Sequence, residues 1–212
     1  LLLFVTAAGN GALEVEPAMN LQHIRAVAFD LDGTLVDSRL DFRAICRDIG
    51  WPEGTPLLER LSQLGDCAEA QRAADIIYQH EMRGAEQASW MPGAADCLQQ
   101  LQAQQIPLAI LTRNMRAATR LTLQRLQIPI SLVLTREDCA AKPDPAGLYS
   151  ISSSLNISCQ QLLYVGDYVF DLQTAANAGA WSCLYLNETN QHFKPLANYH
   201  IGHFAELARA FA

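Results

Sequence analysis

Lysine is almost missing from these 212 residues: Lys142 and Lys194 are the only two, and thirteen arginines carry the rest of the positive charge. Acids outnumber them, leaving a formal charge of −7 at pH 7. Binding a nucleic-acid backbone takes a concentrated basic stripe. None is present, so no nucleic-acid partner is expected, and an anionic substrate must meet a local cluster that includes a metal ion. The six cysteines, at 46, 67, 97, 139, 159 and 183, form no CxxC pair. Together with five histidines in no ligand spacing, this argues against a structural zinc or a disulfide framework. Reduced thiols of a cytoplasmic protein are the plain expectation. No apolar run approaches the roughly 20 residues that span a bilayer, so no membrane partner is expected.

What is present is ordinary for a globular chain, with half the residues apolar and 17% charged. The length suits one sizeable core, or a core carrying an insertion. The opening stretch to residue 18 has a short apolar run without a basic flank, and it reads as an extension, with folding expected from Met19.

Short apolar runs at 25–29, 106–111, 132–134, 162–165 and 182–186 show no polar alternation, as expected of strands buried on both faces. Amphipathic stretches at 94–104, 115–126, 145–155, 170–178 and 204–211 read as helices between and after them. Pro145 suits a helix start and Gly179 a helix end. The alternation predicts an α/β fold with a doubly wound, Rossmann-like parallel sheet. From 38 to 90 no β-branched run appears, and 67–88 reads as a long helix after two short ones. The expected organisation is a core of 19–37 and 91–212 with a small helical cap at 38–90.

Polar residues fall where these strands should end, the edge at which open α/β sheets bind ligands. "DLDGT" projects Asp30 and Asp32 to one side of an extended chain, with Leu31 packing between them. "LTRN" supplies Thr112, Arg113 and Asn114, "KPDP" supplies Lys142, and "GDYVFD" supplies Asp167 and Asp171 around a helix start. Singly, each could be a cap or a turn residue. Four such ends in succession point to one site. Converging aspartates are costly without a cation, and carboxylates without a His/Cys cluster favour Mg²⁺.

These four motifs, over about residues 24–190, resemble the haloacid dehalogenase superfamily, in particular its subfamily I, the phosphoglycolate-phosphatase-like hydrolases with an early helical cap. The resemblance implies a phosphatase that works through an aspartyl phosphate. Asp30 would be the nucleophile and Asp32 the general acid and base, with Thr112 and Lys142 holding the phosphoryl group. Mg²⁺ would be bound by Asp30 and Asp167 and by the backbone carbonyl of Asp32, supported by Asp171. Gly33 would serve the turn and Thr34 would orient Asp32. Arg113, Asn114 and Arg43 are the candidates for substrate binding, Arg43 because it stands near the catalytic loop. The expected partner is a small phosphorylated metabolite, whether phosphoglycolate, a sugar phosphate or a nucleotide, handled by a monomer or homodimer. A phosphomutase, a dehalogenase of the same fold and a non-catalytic regulatory binding protein are the competing readings. Asp32 weighs against a dehalogenase, whose halide leaves unprotonated.

Overall fold

The structure is a computed structural model that describes residues 19–211. The extension expected at 1–18 lies outside the described residues.

The first strand, β1 (Ala26–Phe29), is buried at every position. Its side chains alternate between two cores: Val27 and Phe29 pack in one, Ala26 and Ala28 in the other. That is what a strand covered on both faces requires, and it explains why the apolar run has no polar alternation. The chain continues through β2 (Val36–Asp37), α1 (Phe42–Ile49), α2 (Leu57–Leu64), α3 (Ala68–Gln87) and β3 (Ser89–Trp90). It then alternates: α4 (Ala94–Ala103), β4 (Leu108–Leu111), α5 (Arg116–Leu126), β5 (Leu132–Leu134), α6 (Ala146–Ser154), β6 (Leu162–Gly166), α7 (Val169–Ala178) and β7 (Trp181–Tyr185). The last elements are β8 (Tyr199–Ile201) and α8 (Phe204–Ala210).

Six strands form one parallel sheet in the order β5-β4-β1-β6-β7-β8. The chain winds outward from β1 to β4 and β5, then returns to β6 on the other side of β1. The reversal places the ends of β1, β4 and β6 side by side, the position where such sheets bind ligands. Local signals explain several boundaries. Gly179 closes α7 in the left-handed conformation, φ 69°, and Asp41 caps α1 by accepting from the backbone N–H of Ala44 at 2.9 Å.

Two features differ from the expectation. β8 is a short strand whose Tyr199-His200-Ile201 lacks an apolar run, and it gains its place only by pairing with β7. The second is a two-residue antiparallel ribbon of β2 and β3, Val36 opposite Trp90 and Asp37 opposite Ser89, which ties together the chain's departure from the sheet and its return. Between them, α1–α3 build a small core from Ile45, Ile49, Trp51, Ala73 and Ile77. The far end of α3 rests on α5 through Met82, Ala85, Met115 and Ala118.

Candidate active site

Asp30 follows β1 directly, and its backbone N–H donates to Val165 O at 2.8 Å, which locks the end of β1 to β6. The chain then turns sharply. Gly33 has φ 83°, and a Cβ there would lie 2.7 Å from Asp167 Oδ2, so glycine is required by both conformation and space. Thr34 is not the support of Asp32 that the motif suggests: its hydroxyl donates to Asp167 Oδ1 at 3.0 Å. The turn carries Thr34 past Asp32, so the residue anchors the acid of the neighbouring strand.

Lys142 is 4% exposed and stands at the centre of the cluster. Its Nζ donates to Asp30 Oδ1 at 2.7 Å, Asp171 Oδ1 at 2.6 Å and the Tyr164 hydroxyl at 3.0 Å. Tyr164 in turn donates to Leu111 O at 2.8 Å, at the end of β4. The N–H of Tyr168 donates to Asp171 Oδ2 at 3.0 Å. Burial pulls the pKa of Lys142 down, but Asp171 and Asp30 more than offset it, and the ammonium is held charged. One cation does not balance the acids. Burial pushes the pKa of Asp30 well above the carboxylate range against the pull of Lys142, with Asp171 and Asp167 adding to the rise. Asp167 is pushed up to about 7, first by burial and then by Asp171.

Asp30, Asp167 and Asp171 can each offer a carboxylate oxygen within 4.8 Å of the others. Three acids around a single ammonium leave an excess of negative charge, and all the donors are hard oxygens. The set fits a hard divalent cation. Asn190 contributes from further along the chain: its side-chain amide donates to Asp167 O at 2.8 Å and fixes that loop.

Asp32 stands apart from the cluster. Its Oδ2 accepts from the Asn114 side-chain amide at 2.9 Å, and its Oδ1 is buried with no hydrogen-bond partner among the described residues. Burial raises its pKa, opposed by the polar side chains of Ser38 and Asn114 beside it. Thr112, buried at the end of β4, accepts from the Asn114 backbone N–H at 3.0 Å, so its own proton is available to another oxygen.

The three arginines differ. Arg113 donates to Lys142 O at 2.9 Å and to Glu59 of α2 at 2.6 Å, with its guanidinium 4.6 Å from the centre of the Phe170 ring. Arg136, which the motifs do not reveal, pairs with Glu81 of α3 at 2.5 Å and also donates to Arg113 O. Arg43 is not brought to the cluster. Its side chain is 78% exposed and its Nε lies 3.9 Å from Glu53. Sequence reasoning also passed over Tyr164, Asn190, Glu59 and Glu81. A tyrosine inside an apolar strand and acids on a helical insertion give no local sign of what they face. A shallow hollow of about 830 Å³ around His23, Arg25 and Trp181 lies at the opposite end of the sheet and contains none of these groups.

Among the described residues no helix is long and apolar enough to cross a membrane. The family model described as haloacid dehalogenase-like hydrolase matches residues 27–184. A haloacid dehalogenase-like hydrolase domain-containing protein of Arabidopsis thaliana is 31% identical over 80% of this chain and 73% of its own length. A phosphoglycolate phosphatase of Chromobacterium violaceum is 33% identical over 76% of this chain and 84% of its own. A hydrolase from Pseudomonas syringae has the same fold, with a TM-score of 0.72 at 21% identity over 88% of this chain and 96% of that one. With the acid pair, the hydroxyl, the lysine and the second acid pair gathered at adjacent strand ends, the chain belongs to the haloacid dehalogenase-like hydrolases, among the phosphoglycolate-phosphatase-like phosphatases.

Proposed function

We propose that this protein is a Mg²⁺-dependent phosphatase that hydrolyses a small phosphate monoester through an aspartyl phosphate on Asp30. The observation that carries the reading is the separation of two aspartates only two residues apart. Asp30 is ion-paired inside the acid cluster, whereas Asp32 lies outside it with one bare oxygen. Two carboxyl groups in different environments can divide nucleophile and proton carrier between them.

In the first step an Asp30 carboxylate oxygen attacks phosphorus, and the bond from phosphorus to the ester oxygen breaks. Asp32 gives its proton to the leaving alkoxide. In the second, Asp32 takes a proton from water, the hydroxide attacks phosphorus, and the bond to Asp30 breaks to release phosphate. Thr112 donates to a phosphoryl oxygen, and Lys142 places its charge beside both Asp30 and the transferred group. Asn114 keeps Asp32 oriented through its 2.9 Å bond. Asp30, Asp167 and the Asp32 carbonyl would hold Mg²⁺, with Asp171 in support; when bound, the ion would neutralise the acids and polarise the phosphoryl group.

Residues 38–90 serve in this reading as a cap over a core of 19–37 and 91–212. The six cysteines are free, which suits a reducing compartment. Phosphate release from p-nitrophenyl phosphate, dependent on Mg²⁺ and abolished by Asp30→Asn, tests the proposal. Silence of the wild type on a broad panel of phosphate esters would replace it with a regulatory binding role.

A further inference from the structure

Beside Lys142, the Arg113 side chain joins the lysine's loop to α7 and to the inserted helices. One end of its fork, Nη1, donates to the Lys142 carbonyl at 2.9 Å, and the other, Nη2, pairs with Glu59 of α2 at 2.6 Å. Its guanidinium lies 4.6 Å from the centre of the Phe170 ring, and Phe170 immediately precedes Asp171, the second acid that Lys142 meets. The Arg113 side chain is 20% exposed. Its backbone is held as well, since the Arg113 carbonyl accepts from Arg136, whose ion pair is with Glu81 of α3.

The segment that carries Lys142 lies between β5 and α6 and is neither strand nor helix. Its carbonyls take donors from other elements: Lys142 O from Arg113, and Pro143 O from the Asn177 side-chain amide of α7 at 3.0 Å. Asn177 ties the segment to the sheet layer, and Arg113 ties it to α2. Placement matters here because a misplacement of about 1 Å in a reacting group can cost about 10²-fold in rate. A guanidinium is a planar fork of fixed width, so engaging both of its ends sets the distance between the Lys142 carbonyl and α2.

We propose that Arg113 is a positioning residue for Lys142 and that Glu59 holds it in place, so that the inserted helices act on the chemistry through this arginine. This rests on the phosphatase reading above. Arg113 then has no contact with substrate: both ends of its fork are taken, and its influence passes through the Lys142 ammonium to the phosphoryl group that every ester shares.

Arg113→Met keeps an apolar stem beside Phe170 and removes both bonds. With Mg²⁺ present, kcat/KM for p-nitrophenyl phosphate, 2-hydroxyethyl phosphate and phosphoglycolate should fall by about tenfold or more, a factor equal to about 1.4 kcal/mol. The three losses should agree within about twofold, and the inhibition constant of inorganic phosphate should rise about threefold or more. A smaller folded fraction would lower kcat and leave that constant unmoved, so its rise separates positioning from damage to the fold. Glu59→Gln should lower kcat/KM by about threefold and add nothing to Arg113→Met, because the glutamate acts through the arginine. Should Arg113→Met fail to fold, Arg113→Lys, which keeps the charge and loses the fork, is expected to show the same pattern. A loss confined to phosphoglycolate would make Arg113 a contact for a substrate carboxylate and overturn the proposal. An unmoved phosphate constant, or substitutions whose effects multiply, would overturn it too. In each case hydrolysis of p-nitrophenyl phosphate by the wild type keeps the phosphatase reading intact. A wild type inert on every ester overturns that reading and the positioning role with it.

Discussion

The Lys142 cluster and the pair of arginines beside it differ in where their acids come from. Lys142 reaches Asp30 after β1 and Asp171 in α7, both packed on the parallel sheet. Arg113 and Arg136 reach Glu59 and Glu81, which belong to the helices inserted between β2 and β3. The first set is held at the end of β1 and in the first turn of α7, and it is buried throughout. The second joins two layers and keeps 42% of the Glu59 side chain exposed. Chemistry depends on a geometry set before substrate arrives, whereas a partly exposed pair between layers is weakened by water and salt. The two kinds of ion pair should respond to substitution on different scales.

Lys142→Met should have the largest effect, since it strips the cation from two buried carboxylates at once. Removing one partner of a buried pair costs about 3–5 kcal/mol, and turnover should disappear as well. Denaturant unfolding read beside phosphate release checks both. Unchanged stability would mean that the acids do not need the lysine to remain buried.

Asp32→Asn should leave the fold intact and interrupt the proton transfers. Its carboxyl group is the one that gives a proton to the leaving alkoxide in the proposed reaction. Loss of a general acid or base slows the reaction by about 10²- to 10⁴-fold, so turnover of an alkyl phosphate should fall on that scale. A phosphorylated protein should accumulate with p-nitrophenyl phosphate, because that leaving group needs no proton. Rapid quench and intact mass measure this, and fast multiple turnover of an alkyl phosphate by the variant would remove Asp32 from its role.

Arg136→Met tests the other side of the comparison. It strands Glu81, which is 8% exposed, and leaving a buried acceptor unpaired costs about 1–3 kcal/mol. Combining it with Glu81→Leu should restore most of the loss in a denaturant titration, because an apolar pair needs no partner. A double variant no more stable than the single one would show that the arginine contributes through packing rather than charge.

The contrast also marks how far the sequence alone could be read. The acids and hydroxyl at the sheet's edge are legible because they follow apolar runs, and Lys142 because it is one of two lysines and stands in KPDP just before a helix. The partners that hold them are not. Tyr164 reads as one more apolar strand residue, yet its hydroxyl joins Lys142 to the end of β4. Glu59 and Glu81 lie 54 and 55 residues from their arginines, and spacing on a helix cannot reveal a contact with another layer. Thr34 is expected to orient Asp32, but the turn at Gly33 delivers it to Asp167. β8 was missed for a similar reason, since a three-residue edge strand gets its hydrogen bonds from β7 rather than from any pattern of its own.

Arg43 bounds the comparison from below. Its place near the catalytic loop makes it a candidate for substrate, but α1 turns its side chain to solvent, where it is 78% exposed and lies 3.9 Å from a half-exposed Glu53. A contact that open is screened by water and salt, and fixing two long side chains costs entropy comparable to the attraction. Arg43→Ala should therefore change kcat/KM for the preferred ester by less than about twofold, and stability by no more than about 0.5 kcal/mol, the usual range for surface substitutions. A large rise in KM would show that α1 moves when substrate binds and brings Arg43 inward.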